Sequence, residues 1–309
     1  MLLYPNCKLN IGLRVIDRRT DGYHDLETIF YPVYDLHDEL EIRKFEDLKI
    51  REFEDLKIRR FEDSEIEFIQ EGLAVDCPAE DNLIIKCYHM MQAKFPQIGG
   101  VRIRFKKNIP FGAGLGGGSS DAAHMAIALN ELFGLGLSQA ELAEMVRPLG
   151  ADCPFFIYNT PCYAEGIGDK LRPITFDLSG LRLVMIKPAC GVSTREAYAG
   201  ITRHPEARGQ LLQTLKESEK AQDLLRHHPE VFLNDFEQTV FPLHPEIAAQ
   251  KKRLQDAGAL YAAMSGSGST VFGLFEDHGK GSPLAGTAMT EQEATAMIIF
   301  NDTLGERKA

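Results

Sequence analysis

The chain of 309 residues lacks the features that place a protein in a membrane, outside the cell or on nucleic acid. No apolar run approaches the roughly 18 residues that a membrane-spanning helix needs, and the N-terminus has no signal-peptide pattern. The six cysteines form no C-x-x-C pair, which favours reduced thiols in the cytoplasm, and the nine histidines show no metal-ligand spacing. The 45 acidic residues outnumber the 34 basic ones, and the net charge of −11 argues against nucleic acid or an anionic membrane as a partner. We predict a cytoplasmic globular protein; the sequence leaves its oligomeric state open.

The most informative segment is the glycine-rich stretch P-F-G-A-G-L-G-G-G-S-S from Pro110 to Ser120, which runs directly into a helical pattern. Five of the seven residues from Gly112 to Gly118 are glycine, so the backbone can take positive φ and bring its N–H groups together. Ser119 or Ser120 is predicted to cap the helix, whose positive end favours an anion. We predict that this loop holds nucleotide phosphates.

Several other interpretations of the loop are weaker. Gly112, Gly114 and Gly117 fit G-x-G-x-x-G, but a dinucleotide-binding fold should place an acidic residue on a second strand about 20 residues later. The corresponding region here, 131–138, is predicted to be helix and turn, which disfavours an NAD-dependent dehydrogenase. Gly118 stands where a Walker A loop requires lysine, and the H-R-D and D-F-G signatures of protein kinases do not occur. A tight connection without a ligand, or a nucleotide-binding protein without catalysis, remains an alternative.

Strands and helices are mixed along the chain without a regular βαβ rhythm, which favours an α+β fold. The first strand carries Lys8 and Asn10 on one face, either as a functional pair or as a solvated surface. The pattern also predicts helices over 81–94, 206–226 and 245–257, the first of them capped by Asp81 or Asn82. It further predicts strands over 101–105 and 181–187, a capping box of Ser138 with Glu141, and a glycine/serine turn over 265–269. An octad repeat over 45–66 is interpreted as a charged surface hairpin or loop without a catalytic role.

Three segments in this order resemble the motifs of the GHMP small-molecule kinases: a lysine on the first strand, P-x-x-x-G-L-G-G-G-S-S, and S-G-S-G-S. The segments K-L-N-I-G-L, R-x-D-G-Y-H-x-L-x-T, L-G-A-D-C-P-F-F and A-E-G-I-G-D extend the similarity from residue 5 to about 276. The octad repeat and the tail from Asp277 depart from it. The resemblance implies a two-domain α+β kinase fold, with an N-terminal domain over 1–172, a C-terminal domain over 173–309 and an active site in the cleft between the domains.

The resemblance also implies an activity and a set of site residues. The expected reaction is ATP-dependent phosphorylation of the 2-hydroxyl of the cytidyl diphosphate of methylerythritol, giving the 2-phosphate and ADP on the non-mevalonate route to isoprenoid precursors. Homoserine, mevalonate or a sugar is the alternative substrate. The expected ATP-binding residues are Pro110, Phe111, Gly112, Ala113, Gly114, Leu115, Gly116, Gly117, Gly118, Ser119 and Ser120. Mg²⁺ is the implied cofactor, and its ligands are unassigned apart from a possible Ser119 or Ser120.

By position in the motifs, Lys8 and Asp152 are the implied catalytic residues, with Asp152 as base or electrostatic stabiliser and Lys8 keeping it ionised. The implied substrate-binding residues are Asn10, Tyr23, His24, Thr194, Tyr198, Gly266 and Ser267. Tyr23 and His24 are expected to recognise the cytidine end, with Tyr198 and Thr194 as a second wall. Some of these have a structural alternative: Asp152 as a helix cap, Tyr198 as a core tyrosine, and the Gly266–Ser267 turn as a simple connection into a strand.

Overall fold

The computed structural model describes residues 1–45, 59–60, 66–75, 77–277 and 297–303. The octad repeat lies largely outside the described residues. The strands are β1 (Leu2–Leu3), β2 (Asn6–Arg18), β3 (His24–His37), β4 (Glu39–Lys44), β5 (Arg59–Arg60), β6 (Ile66–Gly72), β7 (Val101–Lys107), β8 (Cys162–Glu165), β9 (Lys170–Pro173), β10 (Leu181–Ile186), β11 (Tyr261–Met264), β12 (Val271–Glu276) and β13 (Met297–Thr303). The helices are α1 (Leu83–Lys94), α2 (Gly117–Leu132), α3 (Gln139–Val146), α4 (Cys153–Tyr158), α5 (Thr194–Tyr198), α6 (Gln210–Thr214), α7 (Ala221–His227), α8 (Glu237–Leu243) and α9 (Pro245–Asp256).

The chain forms two compact units, each built from separate stretches of sequence. The first unit comprises Met1–Cys7, Leu36–Phe111 and Gly116–Thr160; the second comprises Lys8–Asp35, Gly112–Leu115 and Pro161–Ala309. The sequence boundary expected at 172/173 stays a prediction.

The first unit contains a five-stranded sheet in the order β1-β4-β7-β6-β5, in which β6 and β7 pair in parallel and the other pairs are antiparallel. Strand β7 lies in the middle of this sheet, and its alternating pattern gives it one apolar face and one charged face. Val101, Ile103 and Phe105 are buried, and the intervening basic residues pair with acidic residues of the neighbouring strands. Helix α2 packs against α1, α3, α4 and β4, so it lies at the centre of this unit.

The second unit contains two four-stranded sheets, in the orders β11-β12-β10-β13 and β2-β3-β8-β9. Helix α9 packs against β11 and β12, and its buried Ile247 and Leu254 join a core with Val184, Met264 and Val271. No helix among the described residues is both long and apolar enough to traverse a bilayer.

Local sequence signals located several elements correctly. Asn82 caps α1 by accepting a hydrogen bond from the Ile84 N–H at 2.9 Å. The capping box of Ser138 and Glu141 is present at the start of α3, and the predicted glycine/serine turn leads into β12. These signals succeed because the residues that form each feature are neighbours in sequence.

The single helix predicted over 206–226 is wrong. The segment forms α6 and α7, separated by a stretch that pairs with Asp177. The Asp177 N–H donates to the Glu219 carbonyl, and the Ala221 N–H donates to the Asp177 carbonyl. These bonds take backbone groups that a continuous helix would need, and so the helix is interrupted.

Candidate active site

The polar face of β2 is buried, so its interpretation as a solvated surface is wrong. Lys8 and Asn10 are each 3% exposed, and the Lys8 Nζ donates to the Asn10 Oδ1 at 2.5 Å. The same ammonium lies 4.9 Å from the centroid of the Phe30 ring. A buried charge needs such partners, because it loses its hydration. Lys8 therefore holds a fixed position that an exposed lysine would not have.

Asn10 links Lys8 to neighbouring elements of the second unit. Its Nδ2 donates to the Thr28 Oγ1 on β3 at 3.1 Å, and its backbone N–H donates to the Ser265 Oγ at 3.3 Å. The Thr28 hydroxyl in turn donates to the Gly12 carbonyl at 2.5 Å. Neither Thr28 nor Ser265 has a role predicted from the sequence. Both stand inside the family motifs, so a signal is present, but their contacts depend on the fold.

The first part of the glycine-rich loop is held by the predicted glycine/serine turn. The Ser265 Oγ donates to the Gly114 carbonyl at 2.9 Å, and the Thr270 N–H donates to the Ala113 carbonyl at 3.2 Å. Gly114 has φ +74°, and a Cβ there would lie 2.0 Å from the Ser265 carbonyl oxygen. Only glycine fits this position, because a side chain would push the turn and the loop apart.

The turn itself lies against Asn10. Gly266 has φ +56°, and a Cβ there would lie 3.3 Å from the Asn10 Oδ1. The structure therefore brings Gly266 and Asn10 together with the loop, so the turn is more than a connection into β12. A role of Gly266 and Ser267 in substrate binding stays a prediction.

The second part of the loop opens α2, but neither predicted serine is its cap. Gly116 is the N-cap, with φ +70° and no side-chain capping bond, and Ser119 and Ser120 lie inside the first turn. The prediction failed because glycine takes the left-handed conformation at the cap, which lets the helix begin earlier. The Ser120 N–H donates to the Gly116 carbonyl at 2.9 Å, so the amides of residues 116–119 are those that the helix itself does not use. Unused amides at a helix N-terminus favour an anion.

Asp152 stands at the N-cap of α4, yet its side chain makes no capping hydrogen bond. The interpretation of this carboxylate as a helix cap is therefore wrong. The adjacent Cys153 thiol shares a hydrogen bond with Ser119, and a Cβ at Gly150 would lie 3.4 Å from the Ser119 Oγ. Asp152 thus stands between two residues, Gly150 and Cys153, through which the start of α4 lies close to the start of α2. Burial raises the pKa of Cys153 to about 12, which keeps this neighbour an uncharged thiol.

The residues expected to recognise the nucleoside are partly brought together. His24 stacks on Tyr198, with ring centroids 4.6 Å apart and planes 13° apart, while Tyr198 meets Phe236 edge-on at 4.7 Å. Tyr198 therefore belongs to the core and also forms a wall beside His24. Thr194 begins α5, one turn before Tyr198, and Tyr23 is 62% exposed. Burial, followed by nearby arginine charges, lowers the pKa of His24, so its ring is neutral at physiological pH.

A buried ion cluster that the sequence does not predict lies under the start of α2. The Lys107 Nζ lies 2.5 Å from the Asp38 Oδ2 and 2.7 Å from the Asp121 Oδ2. Asp38 also accepts the N–H groups of Asn108 and Ile109 through its Oδ1. Burial raises the pKa of the Asp121 carboxyl against the opposing charge of Lys107. No local pattern reveals this cluster, because its members come from different elements.

Sequence models of the GHMP kinases match the chain in both halves. The N-terminal domain model matches residues 82–160, and the C-terminal model matches residues 211–285. A 4-diphosphocytidyl-2-C-methyl-D-erythritol kinase of Bacteroides thetaiotaomicron is 44% identical over 280 residues, covering 90% of this chain and 93% of the relative. The chain belongs to the family of 4-diphosphocytidyl-2-C-methyl-D-erythritol kinases, within the GHMP kinases.

Solved structures support the same fold for this GHMP kinase. The crystal structure of a 4-(cytidine 5'-diphospho)-2C-methyl-D-erythritol kinase matches with a TM-score of 0.66 at 32% identity, covering 89% of this chain and 90% of that one. The homoserine kinase of Cytophaga hutchinsonii matches with a TM-score of 0.62 at 17% identity, covering 89% and 86% of the two chains. The latter likeness concerns the fold alone. The predicted α+β GHMP kinase fold is confirmed.

Proposed function

We propose that the chain transfers the γ-phosphoryl group of ATP to the 2-hydroxyl of 4-diphosphocytidyl-2-C-methyl-D-erythritol, in the non-mevalonate synthesis of isoprenoid precursors. The observation that carries the proposal is the 44% identity, over nine-tenths of the chain, to a relative named for this substrate. The buried lysine of β2 and the glycine-rich start of α2 support it, since phosphoryl transfer needs fixed positive charge and a phosphate cradle.

The phosphates are held by backbone groups. The unused amides at the start of α2, with the positive end of the helix dipole, bind the triphosphate, and the preceding loop is kept in place by Ser265. This arrangement suits a protein of net charge −11, because the attraction is local and does not depend on the overall field. Pro110 and Phe111, which is exposed, lie just before the loop and are proposed to border the nucleotide.

Asp152 and Lys8 are proposed to do the chemistry. A substrate alcohol is a weak nucleophile, and the Asp152 carboxylate accepts its proton as the bond to phosphorus forms. The Lys8 ammonium neutralises charge that develops on the oxygens around the transferring group. Its bond to Asn10 and its contact with Phe30 hold the ammonium in place before substrate arrives.

The cytidine end is proposed to lie against Tyr23, His24 and Tyr198. The exposed Tyr23 offers an aromatic face to the pyrimidine, and the neutral His24 ring offers polar atoms to its edge. The stacking of His24 on Tyr198 restricts the imidazole to one orientation, which favours selective hydrogen bonding. Asn10, Thr194, Gly266 and Ser267 are proposed to contact the rest of the substrate.

Mg²⁺ is proposed to accompany ATP, where it would neutralise phosphate charge. Of the two serines expected as its ligands, Ser120 is fully buried and its hydroxyl lies near the His124 ring. Ser119 is only partly buried, and its hydroxyl oxygen keeps lone pairs for a cation even when its proton is shared with a neighbour. Ser119 is therefore the proposed protein ligand of the ion.

A cytoplasmic location is also proposed. Cys87, Cys153 and Cys162 are buried thiols, as expected of a protein kept in a reducing compartment.

The function is tested by coupling ADP release to a spectrophotometric readout with the cytidyl substrate, homoserine and mevalonate in parallel. The cytidyl substrate should be turned over with by far the highest kcat/KM. Faster ADP release with homoserine or mevalonate would replace the proposed substrate.

The role of Asp152 is tested with Asp152→Asn, for which we expect kcat to fall about 10²–10⁴-fold while ATP binding changes little. Asp256→Asn is the matched control, because this carboxylate is exposed at the end of α9 and pairs only with Lys252 among the described contacts. Full activity of Asp152→Asn would remove Asp152 from the mechanism while leaving the substrate assignment intact.

A further inference from the structure

Three side chains with metal-binding atoms meet in the second unit, and none of them is among the site residues assigned above. Cys190 lies in the loop after β10, and His244 and Glu246 lie at the start of α9. One sulfur, one nitrogen and one oxygen ligand atom of these residues all lie within 4.8 Å of one another. None of the three has a role in the proposed phosphoryl transfer.

The distances are close to those of a zinc centre. Zn–S bonds of about 2.3 Å and Zn–N and Zn–O bonds of about 2.0–2.2 Å in a tetrahedral site place neighbouring donors roughly 3.3–3.6 Å apart. Donors that already lie within 4.8 Å reach this spacing through small side-chain rotations. A mixed thiolate, imidazole and carboxylate set suits Zn²⁺ better than Mg²⁺ or Ca²⁺, which prefer oxygen ligands alone.

A fourth residue orients the histidine. The His244 Nε2 lies 3.0 Å from the Glu196 Oε1, and the Nδ1 lies 3.4 Å from the Glu246 Oε1. The Nδ1 therefore faces the cluster while the Nε2 is held by a carboxylate from behind. Metal-bound histidines almost always have such an outer partner, which fixes the tautomer and the ring direction.

The cysteine is also held in place, through its backbone. The Cys190 carbonyl accepts hydrogen bonds from the Ser269 Oγ at 2.6 Å and from the Lys187 Nζ at 3.0 Å. These two bonds fix the backbone of the residue that carries the sulfur. Metal binding would release the thiol proton to solvent, leaving a sulfur–metal bond in its place.

We propose that Cys190, His244 and Glu246 form a Zn²⁺ site with three protein ligands, in which Glu196 positions His244 and water takes the fourth place. Bound metal would tie the loop after β10 to the start of α9. Through Glu196 it would also restrain α5, the helix that carries Thr194 and Tyr198. The occupancy of this site can be measured without any assay of turnover.

The test titrates the chelator-treated full chain with Co²⁺, a spectroscopic substitute for Zn²⁺. We expect one equivalent to bind with a near-ultraviolet sulfur-to-cobalt band, and one equivalent of Zn²⁺ to bleach it. Cys190→Ser should abolish the band, and His244→Asn should abolish tight binding. Cys77→Ser and His89→Asn are the matched controls and should leave the titration unchanged, since neither residue belongs to the cluster.

Glu196→Gln separates a metal site from a simple hydrogen-bond cluster. Removing the outer partner should raise the Co²⁺ dissociation constant about 10–100-fold while keeping the sulfur band. Circular dichroism of each variant checks that it is folded. If excess Co²⁺ produces no band with the folded chain, or if the band survives Cys190→Ser, the proposal is wrong and the three side chains form only a hydrogen-bond cluster.

Discussion

Two consecutive lysines of β7 allow a sharp test of how burial determines the value of an ion pair. Lys107 is 3% exposed and pairs with Asp38, which is fully buried, and with Asp121. Lys106 is 45% exposed and pairs with Glu39, which is 37% exposed, at 2.6 Å. The two lysines stand on the same strand and face residues that are consecutive in sequence. Replacing each by Met removes the charge and keeps most of the side-chain length.

The losses of folding free energy expected for the two substitutions differ severalfold. Lys107→Met leaves two buried carboxylates without their cation, and such a change typically costs about 3–5 kcal/mol. At roughly 2–4 °C per kcal/mol, the melting temperature should fall by about 6–20 °C. Lys106→Met breaks an exposed pair worth about 0–1 kcal/mol, because water and salt screen it. Its melting temperature should change by no more than about 4 °C.

The assay is thermal and urea unfolding of both variants beside the wild type, followed by far-ultraviolet circular dichroism. Lys107→Met should also weaken ATP binding, since a Cβ placed on Gly117 in the first turn of α2 would lie 3.0 Å from the Lys107 Nζ. Equal destabilisation by the two substitutions would refute the argument from burial. A Lys107→Met variant as stable as the wild type would show that Asp38 and Asp121 take up protons or water without appreciable cost.

Three further predictions concern single positions. Gly114→Ala should raise the KM for ATP far more than Gly112→Ala in the ADP-release assay. Both glycines have positive φ, but only a Cβ at Gly114 would meet the Ser265 carbonyl. Equal effects of the two substitutions would mean that backbone strain alone matters. Ser138→Ala should lower the free energy of unfolding by about 1 kcal/mol, and an unchanged urea midpoint would show that the capping box of α3 contributes nothing. The pKa of His24 is lowered below its ordinary value near 6.5, so folding stability should fall as the pH drops below about 6.5. The KM for the cytidyl substrate should rise only below that pH. A KM that rises already between pH 8 and 7 would contradict a neutral ring.

The features that the sequence predicted well are those made by near neighbours. The cap of α1 by Asn82, the capping box at Ser138 and the alternation of β7 each depend on residues only one to three positions apart. The glycine-rich loop belongs to the same class, because its composition alone excludes an ordinary strand or helix. The family motifs added the expected fold, which the comparisons confirm.

The features that escaped prediction depend on partners far away in sequence. Asp177 interrupts the helix predicted over 206–226 from a distance of some forty residues along the chain. The cluster of Lys107 joins residues from the end of β3, the end of β7 and the first turns of α2. A window of neighbouring residues contains no signal for such contacts, since the groups become partners only when the elements pack.

The buried polar face of β2 shows why such failures point towards function. An alternating strand normally buries its apolar face and gives its polar face to water. Here Lys8 and Asn10 are as buried as the apolar residues beside them, although burying an ammonium costs free energy that hydrophobic residues would not cost. Stability alone therefore does not explain why Lys8 and Asn10 are buried. Asn10 also needs Thr28 and Ser265 as hydrogen-bond partners. The arrangement makes sense if the strand exists to hold one positive charge in a fixed place, as phosphoryl transfer requires. Lys8→Met should accordingly leave the chain at least as stable as the wild type in urea while reducing kcat, and a large loss of stability would instead make Lys8 a structural residue.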